Sequence, residues 1–206
     1  MRTVMVLSCL VSVLALSGVM AADEGGFSPL FNGKDLSGWS GDPALWRVED
    51  GVILGSTEGT QAAHNTFLAT EKTYANFVLR LQFKLRNHNS GVQVRSQRLP
   101  DYVVKGYQPD IAESRYTGIL YEEGGRGILV DVDPNEVAKH FKRDDWNQYV
   151  ITCDGPHITI ELNGFKTVDY TEKSATAPAE GVIAFQLHAG PAMQVRFKDI
   201  EIKALP

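Results

Sequence analysis

The chain has 206 residues, 43% of them hydrophobic and 22% charged, which suits one globular domain of ordinary size and leaves no room for a second full-sized one. Its 20 basic residues stand against 25 acidic ones, and a net charge of −5 excludes the basic footprint that nucleic acid or an anionic membrane surface requires. With 19 glycines and 9 prolines it is no collagen-like or low-complexity chain.

Residues 1–22 read as an export signal: Arg2 supplies the positive start, residues 4–16 are nearly all apolar, and Val19-Met20-Ala21 offers the small-x-small cleavage pattern. The apolar run is too short for a membrane span, and nothing after it approaches the ~20 apolar residues that one needs. The expected organisation is therefore a signal over 1–22 and one domain over 23–206. Of the 2 cysteines, Cys9 falls in the signal, so Cys153 has no partner for an internal disulfide and is expected as a small buried strand residue.

Beyond the signal the dominant period is two. Residues 77–85 alternate with Phe77, Leu79, Leu81, Phe83 and Leu85 on one face, and residues 91–95, 107–112, 127–132, 148–153, 157–162, 182–188 and 193–203 follow the same rule. Turn chemistry falls between them, at Asn89-Ser90-Gly91, Asp154-Gly155-Pro156 and Gly190-Pro191. Asn163-Gly164, between residues 157–162 and 165–168, is the strongest hairpin signal. Asp133-Pro134-Asn135-Glu136 predicts a cap and one helical turn. Many short strands with glycine-rich turns predict an all-β protein, a sandwich or a closed barrel.

Three strands carry an unusual polar face. Gln93 and Arg95 alternate with valines, Gln108 and Asp110 with Tyr107, Pro109 and Ile111, and Gln186 and His188 with Phe185 and Leu187. Each strand presents a glutamine and, two residues on, an ionisable group. If the strands are neighbours, these six side chains form one polar patch. Planar amides, a carboxylate and arginine are what paired sugar hydroxyls require, and Tyr102, Tyr107, Tyr116 and Tyr121 surround the stretch as rings for an apolar sugar face. Glu113 is a second carboxylate near a strand end, and His64, Asn65 and Thr66 are further candidates for the same cleft. Glu122 and Glu123 precede Gly124-Gly125-Arg126-Gly127, which reads as a plain hairpin or a loop able to close over a ligand. His88 is placed in a turn, and His140 and His157 on the surface. The sequence has no nucleophile elbow and no His-Glu-x-x-His.

Several segments resemble one family. Pro29-Leu30-Phe31-Asn32-Gly33-Lys34-Asp35-Leu36-Ser37-Gly38-Trp39 is similar to the opening of the 3-keto-disaccharide hydrolase domain family. Trp46 to Ile53, Asn89-Ser90-Gly91-Val92, Gly106-Tyr107-Gln108, Asp145-Trp146-Asn147 and Phe197-Lys198-Asp199-Ile200 continue the resemblance in order. It implies a jelly-roll β-sandwich of two antiparallel sheets, of the concanavalin A-like lectin/glucanase type, with the sugar site on the concave sheet. It also implies an exported bacterial protein, periplasmic or extracellular, acting on glycosides oxidised at C3. No cofactor follows with certainty and a divalent metal is left open; oligomeric state is not indicated.

A C3 ketone acidifies the C2 proton, so such an enzyme needs a general base, a group for the C3 oxyanion and an acid for the leaving oxygen. The roles expected are Asp110 as base or metal ligand, Arg95 as oxyanion or hydroxyl clamp, and His188 as acid, base or ligand. Gln93, Gln108 and Gln186 are expected on sugar hydroxyls, with Glu113 and Tyr121 in reserve. Two other readings stand beside this one: a carbohydrate-binding module without catalysis, and a conventional endoglycosidase on unoxidised glycan.

Overall fold

A computed structural model describes residues 25–113 and 115–206; the expected export signal, residues 1–22 with Cys9, lies outside the described residues. The strands, in chain order, are β1 (Ser28–Pro29), β2 (Trp39–Ser40), β3 (Trp46–Glu49), β4 (Val52–Ser56), β5 (Thr66–Thr70), β6 (Phe77–Arg86), β7 (Asn89–Arg98) and β8 (Val104–Ala112). There follow β9 (Leu120–Glu123), β10 (Gly127–Val130), a short helix α1 (Pro134–Ala138), β11 (Asn147–Asp154), β12 (His157–Leu162), β13 (Phe165–Thr171), β14 (Val182–Leu187) and β15 (Gln194–Ala204). One antiparallel sheet runs β13-β12-β11-β6-β15-β4-β3, with β1 added on β15; the other runs β10-β9-β8-β7-β14-β5-β2. This is the two-sheet sandwich expected. Among the described residues no helix is long and apolar enough to cross a membrane.

Local chemistry explains the elements. The alternation of residues 77–85 becomes β6, whose Phe77, Leu79, Leu81, Phe83 and Leu85 are all buried while the residues between them are not. Asn163 and Gly164 both adopt positive φ, 50° and 83°, as a two-residue hairpin turn requires. Asp133 caps α1 by accepting from the Asn135 backbone N–H, and Pro134 occupies the first turn. Cys153 is fully buried, and burial pushes its thiol up to about 12, which makes it a packing residue.

The core lies between the sheets. Phe185 of β14 stacks on Phe197 of β15 at 3.9 Å and on Trp39 of β2 at 5.1 Å, so one ring joins both sheets. The second sheet differs from the first in one respect. Its central strands β7, β8 and β14 are buried on both faces, not on alternate residues. One face packs Val92, Val94, Ile111 and Phe185 into the core, and the other buries Gln93, Gln108, Asp110 and Gln186. Polar groups removed from water must find partners, so that face has to be a hydrogen-bonded network.

Candidate functional site

The three strands with the glutamine-containing faces are neighbours, in the order β8-β7-β14. Against them opens a cleft of about 380 Å³. Asn65, His88, Asn89, Gln108, Asp110, Tyr121, Glu123, Gln186 and His188 line its polar part, and Tyr116, Ile119 and Ile128 its apolar part.

Asp110 is the carboxylate at its base, 6% exposed. It accepts from Gln108 Nε2 at 2.6 Å, and Tyr149 donates its hydroxyl to the Asp110 carbonyl, fixing the backbone from the core side. Burial raises the Asp110 pKa to about 7; hydrogen bonds from Gln108 and Asn89 pull against that, and the nearby Glu123 adds to it. Glu123 accepts from Asn65 at 3.1 Å and from Gln186 at 3.3 Å. Burial, with the charges of Glu123 and Asp110, also raises the Tyr121 pKa, so its hydroxyl keeps its proton.

A pair of histidines closes one end. Asn87 and His88 both lie in the left-handed region, φ 64° and 65°, and carry the chain from β6 in one sheet to β7 in the other. That turn presents the His88 ring edge-on to His188, with centroids 4.6 Å apart. His188 Nδ1 lies 2.6 Å from the Ala189 carbonyl oxygen and 3.0 Å from His88 Nε2. A carbonyl only accepts, so the hydrogen sits on Nδ1 and the neutral ring keeps Nε2 as its lone-pair nitrogen.

Of the expected site residues, Asp110, Gln108, Gln186, His188 and Tyr121 meet in the cleft, while Arg95, Gln93 and Glu113 do not line it. Arg95 is displaced by a β-bulge. From Gln93 to Ser96, β7 spends three steps where β14 spends two, and from Val94 to Gln97 it gains one residue on β8. The extra residue breaks the period of two. Arg95, at φ 48°, instead donates to the Ala75 and Gly155 carbonyls and to Asn76 Oδ1, stapling two loops. Arg95→Met is therefore expected to cost on the order of 3 kcal/mol of stability in urea unfolding, with substrate affinity of the folded protein unchanged.

Gln93 lies under the cleft, donating to Gln108 at 2.7 Å. Glu113 faces a separate hollow and accepts from the Asn87 backbone N–H at 3.0 Å, which holds the turn that carries His88. The stretch Asn89 to Gly91 belongs to β7, and the turn falls earlier, at Asn87-His88. His64 bonds the Asp101 carbonyl away from the cleft, and Asn65 beside it is the residue that enters. The segment 124–127 is the turn of a β9–β10 hairpin and not a lid: Arg126 pairs with Glu122 and with Glu172. His88, Asn89, Ile119, Glu123 and Ile128 are the cleft residues that sequence reasoning left without a role there. The His88 signal was weak because Asn87-His88 is an unusual left-handed pair. Glu123, two residues from Tyr121 on one strand, shares its face.

Among the described residues no three His, Cys, Asp or Glu side chains converge as a metal cluster. Around Asp110 the cleft offers one buried carboxylate poised near neutrality, a histidine with a free ring nitrogen, and a protonated tyrosine. Those are the parts for moving a proton at a sugar ring.

The chain is similar to a candidate glycosyl hydrolase from Parabacteroides distasonis, at 26% identity and TM-score 0.66 over 87% of this chain and 99% of that one. In fold it is also similar to the carbohydrate-binding module CBM66 from Bacillus subtilis, at 13% identity and TM-score 0.62, covering 81% and 96% of the two chains. The Crh5 transglycosylase shares the fold at 10% identity and TM-score 0.58, over 88% of this chain and 85% of that one. No curated protein sequence matches the chain. Residues 26–203 match the 3-keto-alpha-glucoside-1,2-lyase-like domain, and the chain belongs to that family.

Proposed function

We propose that the protein cleaves the glycosidic bond of 3-keto-glycosides, 3-keto-disaccharides among them, after export directed by residues 1–22. The observation that carries the reading is Asp110, a buried carboxylate at the base of a sugar-sized cleft with its pKa raised to about 7. A base that must take a carbon-bound proton at neutral pH works best when its own pKa lies there.

The Asp110 carboxylate takes the C2 proton and becomes the acid. The electron pair moves into the C2–C3 bond, and the ketone oxygen becomes an enolate, stabilised by the Tyr121 hydroxyl. When the C3 carbonyl re-forms, C1=C2 appears and the C1–O bond breaks. The leaving oxygen takes the proton that Asp110 received, which returns the carboxylate. Water then adds across C1=C2: the His188 Nε2 lone pair takes one water proton as the oxygen bonds to C1, the imidazolium gives a proton to C2, and the net result is hydrolysis. Tyr121 here fills the part expected of Arg95, and Gln186, Asn65 and Glu123 bind hydroxyls.

The test is to incubate the chain from about residue 23 with a 3-keto-disaccharide and with its unoxidised parent, following free sugar. Release from the keto sugar alone supports the reading. Release from the parent supports the conventional glycosidase, which Glu123 favours because it places a second carboxylate in the cleft. Binding without release from either leaves the carbohydrate-binding module, an architecture the fold also hosts. A pH series is expected to show kcat/KM rising through about 7 as Asp110 ionises, then levelling above it. A flat profile between 5 and 9 would remove Asp110 from the role of base.

A further inference from the structure

The buried face beneath the cleft is a chain of hydrogen bonds with a fixed direction. The Asp110 carboxylate can only accept, so the amide beside it must turn its NH₂ that way; Gln108 Nε2 lies 2.6 Å from Oδ1. That choice points Gln108 Oε1 at Gln93, which must then supply Nε2, at 2.7 Å. Gln93 Oε1 in turn meets the Ser96 hydroxyl at 2.6 Å. All four side chains are nearly removed from solvent, so no water competes for these bonds.

The chain starts at the bulge that displaces Arg95. Ser96 is held there by two glycines from other segments. A Cβ on Gly106 would lie 2.4 Å from Ser96 Oγ, and one on Gly181 would lie 2.4 Å from Ser96 N. A third glycine completes the arrangement. Gly91 is the Cα partner of Asp110, and a Cβ there would come within 2.5 Å of Gln108 Cγ and Cδ. The Gln108 side chain therefore lies across Gly91 to reach from its own place in the strand to the carboxylate.

We propose that Gln93 is a positioning residue: through Gln108 it aims the Asp110 carboxylate, and Gly91 is the notch in the sheet that allows this. The proposal rests on the reading of Asp110 as the base. Gln93 touches no substrate, and it acts by denying the Gln108 amide any other rotamer. A reacting carboxylate displaced by about 1 Å can lose about 100-fold in rate.

The experiment uses the whole chain with Gln93→Leu, of similar volume, and Gly91→Ala. Gly91 is not in the left-handed region, and the three atoms nearest the added methyl all belong to the flexible Gln108 side chain, so that variant is expected to fold even if the first does not. In wild type, the Gln108 side-chain amide should show slow hydrogen exchange and one proton shifted downfield in ¹⁵N-resolved NMR, because it faces a carboxylate at short range. Both variants should lose that signature, and kcat on a 3-keto-disaccharide should fall about 10- to 100-fold with KM within about threefold. Loss of the signature with kcat within about threefold of wild type would overturn the proposal. So would an unchanged Gln108 resonance in Gln93→Leu. If wild type turns over no keto sugar, the functional reading fails separately, and the Gln108 resonance alone decides whether Gln93 orients it.

Discussion

Asp110→Asn is expected to abolish most turnover and, at the same time, to make the protein more stable above neutral pH. The first half follows from removing a general base, an effect of about 10²–10⁴-fold on kcat, while the asparagine still accepts from Gln108 and sugar binding persists. The second half follows from linkage. The folded state holds the Asp110 proton up to about 7, whereas the ordinary value is 3.8, so between those values the unfolded chain binds fewer protons than the native one. Stability of the wild type therefore falls as pH rises through that window and stays reduced above it. The cost is on the order of 4 kcal/mol once the group is fully ionised. Asparagine carries no such cost. Urea unfolding at pH 8 should show the variant with the higher midpoint, and at pH 4 the difference should vanish. Equal midpoints at both pH values would mean that the carboxylate is better solvated than its burial indicates.

The largest loss of stability is expected at Phe185. Its ring is fully buried, lies 3.9 Å from Phe197 at an interplanar angle of 11°, and stacks on Trp39 at the edge of its own sheet. Phe185→Ala leaves a cavity at the seam between the sheets, with an expected cost of about 3–5 kcal/mol. Measured against a typical total of roughly 5–15 kcal/mol, that is enough to leave a marginal protein. Phe185→Leu retains most of the volume and should cost much less. Denaturant titration of the two variants checks the point: an alanine cost below about 1 kcal/mol would show that the sheets close over the gap. Because Gln186 follows Phe185 on the opposite face, the folded fraction of the alanine variant should also bind sugar less tightly.

Much of this was legible in the chain because period two is a direct readout of strand faces. The alternation from Phe77 and the turn at Asn163-Gly164 needed no tertiary information. The glutamines of β7, β8 and β14 were equally visible, because their departure from lysine and glutamate on an outer face is a local fact. Their burial was not, since it depends on what packs over a face. Arg95 was misplaced for a related reason. A bulge adds a residue without changing composition, and the two glycines that make room for this one, Gly106 and Gly181, are far apart in the chain. His88 was hidden because its partner His188 is 100 residues away. Sheet order brings such residues together, and sequence spacing carries no trace of it.

The ionic tie at Arg126 bears on how a sugar comes and goes. Arg126 reaches Glu122 at 2.5 Å on its own hairpin and Glu172 at 2.6 Å beyond the end of β13, and Glu172 is further held by Tyr107 and Tyr170. The wall that contributes Tyr121, Glu123 and Ile128 is thereby moored to the opposite sheet. A moored wall makes an open berth. Ligand exchange should then follow diffusion through a single kinetic phase, slowed by viscosity, with no gating step for a substrate to wait upon.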